Sequence, residues 1–195
     1  MSQRKKQTEG IRLFGEWDYD GITVEDPGLR KYISFKPTIV PHTAGRHEHR
    51  RFQKSQLPIA ERLVNELMRP GHAAGKKIRA MKIVENALRI INLKTGENPL
   101  GVFVKALENS APREDTTRVS YGGVSYHVAV DLSPQRRVDL ALRFIAEAAR
   151  KSAFGNPKSV DEWLADEIIL ASTADGRSYA VSKKDEMERI AYSSR

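Results

Sequence analysis

The chain has no cysteine among its 195 residues. That single absence excludes disulfide staples, thiolate metal sites and a cysteine nucleophile, so stability has to come from apolar burial. Long apolar runs are missing too: no stretch approaches the roughly 18 residues that a spanning helix needs. The opening Met1-Ser2-Gln3-Arg4-Lys5-Lys6 leads into no apolar segment of the secretory kind. The expectation is a soluble, cytoplasmic protein with no membrane contact. Aromatic residues are sparse at 7%, yet hydrophobic residues reach 39%, enough for a modest core and too many for a fully disordered chain.

What is abundant is positive charge. Lysine and arginine total 33 against 25 acidic residues, a formal net charge of +8. This is the footprint of a protein that binds phosphates. An acidic membrane surface attracts the same charge, but the missing apolar segment argues against it.

Residues 1 to about 10 are polar and without periodicity and read as a tail. From Ile11 to Phe35 the pattern is mixed, and the alternation Ile22-Thr23-Val24-Glu25 predicts short strands. Between Lys36 and Gln56, Pro37, Pro41 and Gly45 break regular structure while Arg46, Arg50, Arg51 and Lys54 accumulate: an extended basic arm. Residues 1–54 therefore form an N-terminal extension, and residues 55–195 a helical domain.

Helical spacing predicts six helices in that domain. The first opens at Pro58, carries Ile59, Leu63 and Leu67, and stops in Gly71 to Gly75. The second, about Lys76 to Lys94, places Ile78, Met81, Val84, Leu88 and Ile91 on one stripe with Lys77, Lys82 and Arg89 toward solvent, and ends at Gly96. Asn98-Pro99 and Ser133-Pro134 open the third (to Ser110) and fourth (to Ser152), the oxygen side chain accepting an orphan N–H and the proline presetting the first turn. Ser159 precedes a fifth with Trp163, Leu164, Ile168 and Ile169, and Ser182 with Asp185 marks a sixth. Between helices three and four, two β-rich runs flank Gly122-Gly123, predicting a hairpin at about 115–131. A lone ribbon is marginally stable in water and requires support.

The cations fall into five clusters: the arm; Lys76, Lys77, Arg79 and Lys82; Arg113 and Arg118 at the hairpin; Arg136, Arg137 and Arg143; and Lys183, Lys184, Arg189 and Arg195. Each alone is compatible with a solvated surface. Several sit at predicted helix N-termini, where the macrodipole disfavours cations and attracts phosphate. Tyr121 and Tyr126 flank the hairpin tip as candidate base-stacking groups, whereas Trp163, Phe103 and Phe144 sit on core stripes.

Other constellations fail on spacing. Gly71-His72-Ala73-Ala74-Gly75-Lys76-Lys77 is one residue short of a phosphate loop between its glycines, has no Ser or Thr after the lysine, and follows a helix. His42, His47 and His49 have neither HExxH spacing nor a cysteine partner, so no metal site is assigned. His72 and His127 are isolated, and Asp166 and Glu167 read as exposed carboxylates on a helix. No catalytic residue and no cofactor is expected. A duplex-DNA regulator using two helices is the alternative, but no helix pairs Asn, Gln and Arg for major-groove readout.

From about Ser55 to Arg195 the chain resembles the family of small-subunit ribosomal protein seven, in its archaeal and eukaryotic branch. The resemblance is carried by Gly75-Lys76-Lys77, by Leu93-Lys94-Thr95-Gly96-Glu97-Asn98-Pro99-Leu100, and by Pro112-Arg113-Glu114-Asp115 with the Gly122-Gly123 hairpin. It continues through Asp131-Leu132-Ser133-Pro134-Gln135-Arg136-Arg137-Val138, Ala165-Asp166-Glu167, and the run from Ser178 to Arg189. It implies a mainly α bundle with a protruding β-ribbon, no catalysis, and binding to the 3-prime major (head) domain of small-subunit rRNA. It further implies a position near the exit-site tRNA and the mRNA path, beside small-subunit protein eleven. By matching position, it assigns RNA contact most strongly to Lys76, Lys77, Arg113, Arg118, Arg136, Arg137, Lys183 and Lys184. Bacterial members carry a denser arginine run before the hairpin glycines than the single Arg118 found here. On this reading Arg136 and Arg137 are free surface cations whose removal leaves the fold undisturbed.

Overall fold

The computed structural model describes residues 10–45, 47, 49–69 and 73–195. Among them are six α-helices and one antiparallel ribbon: α1 (Ile59–Leu67), α2 (Lys77–Thr95), α3 (Pro99–Ser110), β1 (Glu114–Tyr121), β2 (Val124–Asp131), α4 (Pro134–Ala153), α5 (Val160–Ser172) and α6 (Tyr179–Ser193). A short 3-10 turn, Gln53–Gln56, precedes α1. The mainly helical architecture, with its hairpin between the third and fourth helices, is the one the periodicities predict.

The hub is α5, which packs against α2, α3 and α4. Leu164, Ala165, Ile168 and Ala171, spaced at three and four residues, are fully buried there. Phe103, Leu107 and Leu100 of α3, Leu88 and Ile91 of α2, and Leu142 and Ile145 of α4 complete the interior. Alanines at 141, 146 and 149 on α4 are buried to the same degree and take up little room where helices cross.

Helix starts divide into two kinds. Asn98 Oδ1 accepts from Leu100 N at 3.1 Å, as predicted. Ser133 and Ser159 stand at their N-caps without a side-chain bond; only their backbone carbonyls engage, with Arg137 N at 3.0 Å and Trp163 N at 3.2 Å. The last helix begins at Tyr179 rather than at Ser182. Ser178 is its cap, accepting from Val181 N at 3.2 Å. It also donates to Glu167 Oε1 at 2.7 Å, and the same oxygen takes Ala180 N at 2.9 Å. Glu167, expected to be exposed, is 9% exposed because a helix N-terminus with its unpaired N–H groups sits over it.

The stripe on α2 also differs from expectation. Ala80, Val84, Ala87, Leu88 and Ile91 face the core, while Ile78 is 71% exposed and Lys77 turns inward to Glu61 at 2.6 Å. This orientation lets the first turn of α2 supply the cation that Glu61, buried on α1, requires.

Residues 11–35 form no strand. Leu13 bridges to Trp17 and Ser34 to Pro58, and the rest is turns. Their apolar side chains are nevertheless core: Leu13 and Leu29 are fully buried and Ile33 is 4% exposed. Local turns take up part of their backbone groups, and side chains of the bundle take up others. Glu108 of α3 accepts from Glu25 N and Asp26 N at 2.7 and 3.0 Å, and Asn98 donates to Asp18 O at 2.9 Å.

At the ribbon tip Gly122 and Gly123 have φ of 57° and 85°, the two positive values that a tight primed turn requires. Support comes from α6 and the residues that follow it: Arg195 pairs with Glu114, and Glu188 Oε1 of α6 accepts from Arg113 N at 2.8 Å.

If residues 11–35 belong to the cooperative core, Leu29→Ala should destabilise the whole chain by about 2–5 kcal/mol. Urea unfolding should then show one transition moved to lower denaturant, not a separate early phase.

Candidate nucleic-acid interface

The cations sort by what they touch. Arg50, Arg51, Lys76, Arg79, Lys82, Arg113, Arg118, Arg136 and Arg143 are exposed; Lys54, Lys77, Arg137, Lys183 and Lys184 are half-buried. Arg46 lies outside the described residues.

Three of the half-buried cations hold the fold together. Lys77 Nζ pairs with Glu61, whose second oxygen is buried without a partner among the described residues. Burial pushes the Glu61 carboxyl up, but the Lys77 ammonium and the N–H and O–H of Thr43, both 2.9 Å away, outweigh it and hold it below its ordinary 4.5. Lys54 and Arg62 share Asp139 of α4 at 2.5 and 2.8 Å, and Arg62, 4% exposed, also donates to Tyr32 O at 2.7 Å.

Arg137 and Arg136 part company. Arg137 pairs with Asp26 at 2.9 Å and donates to Pro112 O at 3.2 Å, tying the N-terminal turn and the hairpin base to α4. Burial raises the Asp26 carboxyl, yet the Gly28 N–H and the Arg137 guanidinium bring it below its usual value. Of the two cations expected to be free, Arg137 is tied into the fold and Arg136 is exposed. Consecutive helical residues point about 100° apart, so one faces the N-terminal segment and the other solvent.

The cluster of Arg136 and Arg143 extends to Arg150, which lies outside the five clusters read from sequence. Arg136, Arg143 and Arg150 recur every seven residues on α4, two turns apart and so on one face. Arg136 and Arg143, with Lys54, Arg62 and Arg69, line a polar hollow of about 280 Å³ between α1 and α4. The seven-residue spacing is legible in the sequence; the contribution of Arg69, from just beyond the end of α1, is not.

On the ribbon, cross-strand partners share a face. Val119 pairs with Tyr126, Tyr121 with Val124, Thr117 with Val128 and Asp115 with Val130, placing the two tyrosines on one apolar face. Tyr121 is 83% and Tyr126 55% exposed. Arg118 pairs with His127 on the opposite face, so arginine and tyrosine candidates do not converge.

Among the described residues, no group of three or more His, Asp or Glu is placed to hold a metal ion. His42 Nδ1 instead accepts from Ala44 N at 3.1 Å within the arm. Asp166, considered with Glu167 as a carboxylate pair, is drawn between Lys94 and Lys158 at 2.6 Å. No helix among the described residues is long and apolar enough to cross a membrane.

A helical body with outward cation clusters and an inserted ribbon restates the earlier resemblance in three dimensions, and residues 29–195 match the family described as ribosomal protein S7p/S5e. The chain belongs to that family. It is 56% identical over 183 residues to small ribosomal subunit protein uS7 of Methanosphaera stadtmanae, covering 94% of this chain and 98% of that protein. The uS7 of Methanothermobacter thermautotrophicus is 55% identical over 181 residues, covering 93% and 97%. The uS7 of Methanococcus maripaludis is 54% identical over 186, covering 95% and 99%. All three organisms are archaea, the branch of the S7p/S5e family that the motifs resemble.

Two outcomes follow. Arg137→Ala should lower stability by about 1–3 kcal/mol through loss of a charged hydrogen-bonded pair, while Arg136→Ala should change it by less than about 0.5 kcal/mol; thermal unfolding of the two variants checks the split. Because Glu61 and Asp26 are both held below their ordinary values, their stabilisation is complete above about pH 4.5 and fades as pH falls through the lowered values. Acid unfolding should therefore begin below pH 4.5 and begin less steeply in Glu61→Gln, monitored by circular dichroism.

Proposed function

We propose that the chain binds the 3-prime major domain of small-subunit rRNA and supports assembly of the subunit head, lying near the exit-site tRNA and the mRNA path and beside small-subunit protein eleven. Family membership carries the coarser statement: the chain is a structural, non-enzymatic constituent of the small ribosomal subunit in the cytoplasm. In this reading residues 55–195 are the rRNA-binding domain and residues 1–54 an extension with a basic arm.

The observation that carries the finer reading is the division of the cations. Those needed to hold the fold are matched by buried or half-buried carboxylates, and the rest stand outward on a rigid body at separated places: Arg50 and Arg51, Lys76, Arg79 and Lys82, Arg113 and Arg118, Arg136 and Arg143. Contacts to phosphate position a protein on RNA and release counterions, which makes affinity strongly salt-dependent. Lys77, Arg137 and Lys54 enter this picture as residues that set the spacing of the outward cations. Lys183, paired with Glu186, and Lys184 supply a further basic patch on α6.

Affinity for refolded head-domain rRNA should fall on the order of a thousandfold over a few-fold rise in salt if roughly six or more phosphates are neutralised. Arg136→Ala should weaken binding and reduce the slope by about one. A flat salt response, or preference for duplex DNA in competition, would overturn the reading.

A further inference from the structure

Between the end of α1, the first turns of α2, the second half of α4 and the start of α5 lies an open groove of about 680 Å³. Its floor is apolar: Leu67 and Ala80, each 3% exposed, with Ile83, Ala153 and Val160. Phe154, the residue that caps α4, stands at this groove with 86% of its surface exposed, an unusual state for a phenylalanine.

Around that floor the rim is cationic. Lys76, Arg79 and Arg143 are exposed, and Arg69, Arg150 and Lys151 add to the field. Glu147 is the only carboxylate among the lining residues, and Lys151 occupies it at 2.8 Å. Arg69, which is paired with Glu66, and Arg143 also line the polar hollow described above, where five cations (Lys54, Arg62, Arg69, Arg136 and Arg143) outnumber the carboxylates of Glu66 and Asp139. An apolar groove and an anion-attracting hollow thus share a wall of two guanidinium groups.

Few ligands satisfy both halves. A regular duplex keeps its bases stacked inside and cannot reach the floor, and an uncharged apolar peptide leaves the rim without a counter-charge. An unpaired nucleotide brings a flat ring and a phosphate together, and unstacked bases are the usual target of proteins that recognise RNA. We infer that this groove takes an unstacked nucleobase from a loop or bulge of the bound RNA, with Phe154 as its stacking surface and the adjoining phosphate held by Arg69 and Arg143. The inference rests on the rRNA-binding reading above and names where that RNA leaves its helix.

Two variants of the full chain keep every cation and change only the groove: Phe154→Ala removes the stacking surface, and Ala153→Trp fills the space. Each should weaken binding to refolded head-domain rRNA about tenfold or more with the salt slope unchanged. Phe154→Trp should restore affinity. Dimethyl sulfate probing should show an unpaired base shielded by the parent protein and reactive with both variants. Parent-like affinity and protection in both variants would overturn the inference. So would unchanged rRNA affinity combined with failure of a neighbouring protein to join reconstituted subunits, which would mark the occupant as a peptide. If the parent protein itself did not bind the rRNA, the functional reading would fall first, and the parent control makes that case distinct.

Discussion

Two adjacent charges at the start of α1, Glu61 and Arg62, are buried, and a buried charge must be matched or the fold does not hold. Much of the molecule's geometry follows from satisfying this pair. Glu61 draws Thr43 of the arm and Lys77 of α2; Arg62 draws Asp139 of α4 and the carbonyl of Tyr32. Four distant parts of the chain are fixed relative to one short helix by two side chains that point about 100° apart.

The same constraint separates structural from available charge. A net charge of +8 says that cations are in excess, not which ones. Once Lys77, Arg62 and Arg137 are committed to carboxylates inside, what remains outward is a set of separated clusters on the helices, the arm and the ribbon. A polyanion meeting such a surface finds its phosphate contacts already spaced, so little order has to be imposed on the protein when binding occurs.

Helix count, helix order and the inserted hairpin were legible because apolar periodicity and Gly or Pro punctuation are local signals. Apart from the helix caps, the failures share one cause: each depended on a partner outside its own stretch of sequence. Val24 and its neighbours alternate like a strand, but the N–H groups of Glu25 and Asp26 go to Glu108, more than eighty positions away. Glu167 looks like a surface acid until the start of α6 folds over it. Arg136 and Arg137 are alike as letters and differ only in what a helix turn of about 100° places in front of them. At the candidate interface the clusters were visible in sequence, while the shared wall of Arg69 and Arg143 required α1 and α4 to be packed together.

The position of the hub in the chain has a bearing on synthesis. The helix that touches α2, α3 and α4 is the fifth of six, so the faces those helices turn toward it stay uncovered until residues near Ile168 have been made. A nascent chain of this design can pair its earlier helices as they emerge, but the interior they share is sealed only in a late step, when one short segment arrives.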